Sequence, residues 1–130
     1  MTRWALREYQ CNFRHYRDGH NPVCEATVNM EVEGIAEHTA AEGHGVVNAL
    51  DKALRQALMR HFPGIEGVSL IDYKVRILDG HAATAARTRV QIVHTDGECT
   101  WGTVGVSDSI IEASWIALTE GIDLFLQREG

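Results

Sequence analysis

A chain of 130 residues with 45% hydrophobic and 23% charged side chains has the makeup of an ordinary globular protein, long enough for one domain or two small repeats. No segment is apolar for long enough to span a bilayer, and the N-terminus runs into mixed polar and apolar residues without a signal-peptide core, so a cytoplasmic protein is expected. The formal charge of −6, with lysines and arginines scattered along the sequence, offers no basic stripe and argues against a nucleic-acid or polyphosphate partner.

Tyr9, Cys11, Phe13 and His15 alternate with Glu8, Gln10, Asn12 and Arg14, which predicts a strand with one buried face. A turn follows at Asp18-Gly19-His20-Asn21-Pro22. Cys24, Ala26, Val28, Met30 and Val32 mark a second half-buried strand, which Glu33-Gly34 turns into a third through about residue 41. Connections this short require an antiparallel sheet. From Val46 to Arg60 the period becomes helical, with Val46, Ala49, Leu50, Ala53, Leu54, Ala57 and Leu58 on one stripe.

After Pro63-Gly64 the order repeats: strands at about 68–78, 86–94 and 99–106, then a helix at about 109–127. That helix carries Ile111, Trp115, Leu118, Ile122 and Phe125 at core spacing, with Ser107 or Asp108 as its N-cap. The expected fold is α+β: two pseudo-symmetric β-β-β-α units, at about 5–62 and 65–127, with antiparallel sheets and a helix on one face of each. Set side by side, Thr39–Gly43 falls against Trp101–Gly105, and Ala49 and Ala53-Leu54 fall against Ala113 and Ala117-Leu118. Halves this small have thin cores, and a twofold dimer is the expected assembly.

The chemistry-bearing residues give little sign of an active site. The seven histidines show no H-x-x-x-H or H-E-x-x-H spacing, and no nucleophile elbow is present. Cys11, Cys24 and Cys99 are odd in number and lack a C-x-x-C pair, so buried reduced thiols are expected. The glycines say more. Gly43-His44-Gly45 and Gly102-Thr103-Val104-Gly105 both come shortly before a helix, where free amides and the positive end of the helix dipole can receive a carboxylate. Each is equally a tight strand-to-helix connection; together they fit a small amphoteric ligand between the units. Trp101 and Trp115 read as core or interface aromatics, and Asp72 as a solvated strand residue or a partner of Lys74 or Arg76, with a ligand ammonium as the sharper alternative partner.

The stretch Thr39-Ala40-Ala41-Glu42-Gly43-His44-Gly45-Val46-Val47-Asn48-Ala49-Leu50 resembles the T-A-A-x-G-x-G-P-V-x-A-L stretch of the LeuA-type allosteric domain. That domain stands at the C-terminus of 2-isopropylmalate and citramalate synthases. The resemblance continues in order through Leu70–Arg76, Thr84–Val90, Trp101–Ser107, Ile110–Ser114 and Ala117-Leu118, over roughly Tyr9 to Leu126. His44 stands where the family usually has Asp, and Val46 where it often has Pro. The wording Trp101–Ser107 with Ile110–Trp115 looks closer to the citramalate branch.

The resemblance implies a feedback-regulatory and dimerisation domain of an acyltransferase in branched-chain amino acid biosynthesis. Its catalytic TIM barrel, with a divalent metal, would lie outside these residues and condense acetyl-CoA with a 2-oxo acid. This domain would hold no cofactor, bind isoleucine or leucine, and form a homodimer. By position in the family's motifs, the effector is expected against Val47, Asn48, Leu70, Tyr73, Ile77, Thr84, Asp108 and Ser109. A domain that only dimerises, or a small free-standing enzyme, are the alternatives.

Overall fold

The computed structural model of the chain describes residues 4–19, 22–78 and 87–129. Two compact units, Met1–Glu66 and Gly67–Gly130, each hold a three-stranded antiparallel sheet followed by a helix. In the first, β1 (Trp4–Arg14), β2 (Val23–Val32) and β3 (Ile35–Gly43) pair in that order, and α1 (Val46–Met59) packs on β2 and β3. In the second, β4 (Ser69–Leu78), β5 (Arg87–Thr95) and β6 (Thr100–Ser107) do the same under α2 (Ile110–Glu129), which packs on β5 and β6. The structure therefore shows the α+β class and the two β-β-β-α units.

Alternation builds both cores. In β2 every second side chain, Cys24, Ala26, Val28, Met30 and Val32, is fully buried beneath α1. The helix answers with Ala49, Leu50, Ala53, Leu54, Ala57 and Leu58, and each leucine contributes about 2 kcal/mol by leaving water. In α1 the buried residue of the first turn is Val47, not Val46, because the stripe begins one position later than the spacing alone places it. In α2 the matching stripe is Ala113, Trp115, Ala117, Leu118, Ile122 and Phe125. The β2–β3 hairpin turns through Glu33 and Gly34, both at positive φ (49° and 83°), the geometry of a tight two-residue turn.

A single offset relates the units. Thr39 Oγ1 donates to Ala53 O at 2.7 Å, and Thr103 Oγ1, 64 positions later, donates to Ala117 O at 2.7 Å. Tyr9 pairs with Val28 and Tyr73 with Ile92; the bulges at Leu6/Glu8 and Leu70/Asp72 obey the same step, as do the first residues of α1 and α2. This corrects the side-by-side reading of the strands. Thr39 corresponds to Thr103, not Trp101, and Gly43 to Ser107. Matching glycine to glycine slips β3 by two residues against β6, whereas the hydrogen bonds hold strand and helix in one register.

Candidate functional site

The start of α1 has no side-chain cap among the described residues. Its N-cap is Gly45, in extended backbone and without a side-chain cap, so the amides of the first turn lack an internal acceptor there. Gly43 is needed for the approach: a β-carbon on it would meet Ala49 N at 2.7 Å and Asn48 Oδ1 at 2.5 Å. Asn48 is exposed and its Oδ1 accepts from His44 N at 3.3 Å, while the Val47 side chain is only 5% exposed. Val47 can therefore offer a ligand its amide, not its side chain.

The start of α2 is built differently. Gly102 and Gly105 lie inside β6, not in a loop, and the turn before the helix is Asp108-Ser109. Gly105 is instead a packing residue, since a β-carbon there would strike Ala113 O at 2.0 Å. The N-cap is Ser109, one residue beyond the expected Asp108: its O accepts from Ala113 N at 2.9 Å and its Oγ from Glu112 N at 3.4 Å. Ser107 Oγ accepts from Ser109 N at 3.1 Å. Two helix starts that read alike in sequence thus differ, one uncapped and one capped.

Leu70, Tyr73 and Ile77 share the helix-bearing face of β4, with Val75 between them. Tyr73 is opposite Ile92 and Ile77 opposite Thr88; Thr88 in turn faces Ser107, so Ile77 and the Asp108-Ser109 turn occupy the same end of the sheet. Because α2 packs mainly on β5 and β6, this row stays open: Tyr73 is 52% exposed and Ile77 69%. β1 repeats the pattern with Tyr9, Cys11 and Phe13, the last 64% exposed, so its expected buried face is only half covered within its unit. Thr84 lies outside the described residues. Val47 and Asn48 belong to the first unit, and the other described candidates to the second.

The opposite face of β4 and β5 collects Lys74, Arg76, Arg87 and Arg89, with Arg76 directly across from Arg89. Alternation brings these basic residues, scattered in sequence, to one face, where Asp72 stands in the same row of β4. The cysteines also diverge from a uniform buried set: Cys24 is buried, Cys11 half-buried and Cys99 exposed. Burial, then the neighbouring Cys24 thiol, pushes the Cys11 thiol up to about 11. Among the described residues no three His, Cys, Asp or Glu side chains are grouped so as to hold a metal ion.

One end of the second unit is locked by a stack. His94, 2% exposed, lies over Trp101 at 5.7 Å; Trp101 lies over Phe125 at 6.2 Å and donates from Nε1 to Gly121 O at 3.0 Å. The Arg128 guanidinium sits 4.9 Å above the Trp101 ring and pairs with Asp96 at 2.5 Å. Gly121 leaves room for His94, whose Nε2 a β-carbon would meet at 2.1 Å.

The profile of the LeuA allosteric (dimerisation) domain matches residues 4–126. The chain belongs to that family. It is 52% identical over 113 residues to the (R)-citramalate synthase of Aquifex aeolicus, covering 87% of this chain and 21% of that protein. The corresponding enzyme of Geobacter sulfurreducens is 50% identical over 107 residues, 82% of this chain and 20% of that one. The 2-isopropylmalate synthase of Aquifex aeolicus is 33% identical over 113 residues, 87% of this chain and 20% of that protein. The LeuA-domain chain spans about a fifth of the length of these relatives.

Proposed function

We propose that this chain is the effector-sensing and self-associating module of a citramalate synthase, binding isoleucine as a feedback signal. The observation that carries the choice of branch is the contrast within one organism, 52% identity to the citramalate synthase of Aquifex aeolicus against 33% to its 2-isopropylmalate synthase. The physical parts suit an amphoteric, branched ligand. In the first unit, uncapped amides at the start of α1 favour a carboxylate and Asn48 Oδ1 is an acceptor for an ammonium; in the second unit, taken by itself, Asp108 is an acceptor for an ammonium and Leu70, Tyr73 and Ile77 offer an aliphatic side chain an apolar surface. The row on β4, with its counterpart on β1, exposes more apolar surface than one amino acid covers, and the remainder is suited to a second copy in a homodimer. Condensation of acetyl-CoA with a 2-oxo acid, and the divalent metal that supports it, would belong to residues outside this chain.

Feedback then requires bound and free states to differ by a coupling of about 1–3 kcal/mol. Isoleucine titrated into the isotope-labelled chain should give saturable amide shifts at Val47, Asn48, Leu70, Tyr73 and Ile77. A dimer that shows no shift there with isoleucine, leucine or valine would contradict the sensing role and leave self-association alone.

A further inference from the structure

The first unit holds a cavity of about 480 Å³ between β3 and α1, lined by Glu37, His38, Thr39, Ala40, Gln56 and Arg60. None of these is among the residues assigned to the effector above. Glu37 is 8% exposed; its Oε2 accepts from His61 Nε2 at 2.8 Å, and its Oε1 lies 3.8 Å from Arg60 Nη1, beyond hydrogen-bond reach. The Arg60 side chain is 81% exposed, lines the same cavity and forms a long ion pair with Glu37.

The second unit is an internal control. At the 64-residue step Glu37 becomes Trp101, His61 becomes Phe125 and Arg60 becomes Leu124. There the niche is closed by the Trp101–Phe125 stack. The fold therefore accepts an apolar filling at this place, and a buried carboxylate with its partner is generally no more stabilising than well-packed apolar residues. The polar version in the first unit calls for a ligand rather than a packing explanation.

We propose that this cavity is a second small-molecule site, taking a zwitterionic α-amino acid with a short or polar side chain. Glu37 Oε1 receives the ammonium, Arg60 closes on the carboxylate, and Gln56 and Thr39 supply a side-chain amide and a hydroxyl acceptor to the remaining polar groups. A carboxylate and a guanidinium lining one cavity, 3.8 Å apart, select for a molecule carrying both charges that inserts between them, and the polar lining disfavours a long aliphatic tail.

The test titrates serine, threonine, asparagine and glutamine, each to roughly 20 mM, into the labelled full chain; that range detects millimolar binding. Saturable shifts at residues 37–40, 56 and 60 are expected from at least one, and ethanolamine, which lacks the carboxylate, should bind at least tenfold more weakly than serine. Arg60→Leu changes an exposed side chain and should keep the fold while weakening binding about tenfold, equivalent to 1.4 kcal/mol. Filling the niche as the second unit does, with Glu37→Trp and His61→Phe together, should abolish the shifts; if that variant does not fold, Arg60→Leu decides. No saturable shift with any of the four amino acids, or unchanged binding in Arg60→Leu, would overturn the proposal.

Discussion

Replacing Thr103 by valine should destabilise the chain two to four times as much as the same change at Thr39, although both hydroxyls make the same 2.7 Å bond to a helix carbonyl. In Thr39→Val one hydrogen bond is lost, and Ala53 O keeps its acceptor role within α1, a net loss of about 1 kcal/mol. Thr103 does more. Because its hydroxyl donates to Ala117 O, the contact with His94 Nε2 at 2.9 Å must have the imidazole N–H as donor. Thr103→Val therefore also takes a partner from a ring that is 2% exposed, which adds about 1–3 kcal/mol and brings the total to about 2–4 kcal/mol. With a urea slope of about 1.5 kcal/mol per molar, the midpoints should fall by about 0.7 M for Thr39→Val and about 1.3–2.7 M for Thr103→Val. Urea melts followed by circular dichroism read both. Equal shifts, or a larger one at Thr39, would refute the assignment of the His94–Thr103–Ala117 network.

At the α1 start, Gly45→Asp is sterically free, since nothing lies within 4 Å of an added β-carbon and the backbone is extended. It should leave stability within a few tenths of a kcal/mol of wild type while weakening isoleucine binding about tenfold, because the new carboxylate caps the amides proposed for the ligand. Unchanged affinity in calorimetry would count against that placement. With a thiol reagent at pH 8, Cys99 should react first and Cys11 about a hundredfold more slowly, as expected for an exposed thiol against one pushed up to about 11; fast labelling of Cys11, read by mass spectrometry, would contradict its half-buried position. Asp96 is held below the usual carboxylate range by the N–H groups of Cys99 and Glu98, with Arg128 adding to them. Its contribution to the β5–β6 turn should be complete above the ordinary Asp value and lost as pH falls through the depressed one. A carboxyl-carbon titration midpoint at or above about 3.9 would be inconsistent with this.

The alternation of Cys24 to Val32 and the 3.6-residue stripe of Ala49 to Leu58 made the strands, the helices and the duplication legible, because periodicity reports burial directly. Register was not legible in the same way. Gly102 and Gly105 look like the loop glycines 43 and 45, yet they lie in a strand where Gly105 admits the helix backbone, and only the pairing of Thr39 and Thr103 with their helices fixes the 64-residue step. At the candidate site, the Leu70–Ile77 row followed from period two, but its openness follows from where α2 ends laterally, a tertiary fact. The Glu37–His61 pair, 24 residues apart, and the convergence of Lys74, Arg76, Arg87 and Arg89 from two strands have no local signature at all.

The most direct measurement is calorimetric titration of isoleucine, leucine and valine, separately, into the purified 130-residue chain. Saturable binding of isoleucine at least tenfold tighter than leucine or valine is predicted, a preference of about 1.4 kcal/mol that methyl placement can supply. Tighter binding of leucine would move the chain to the isopropylmalate branch, and no heat or thermal stabilisation from any of the three would contradict an effector-sensing domain.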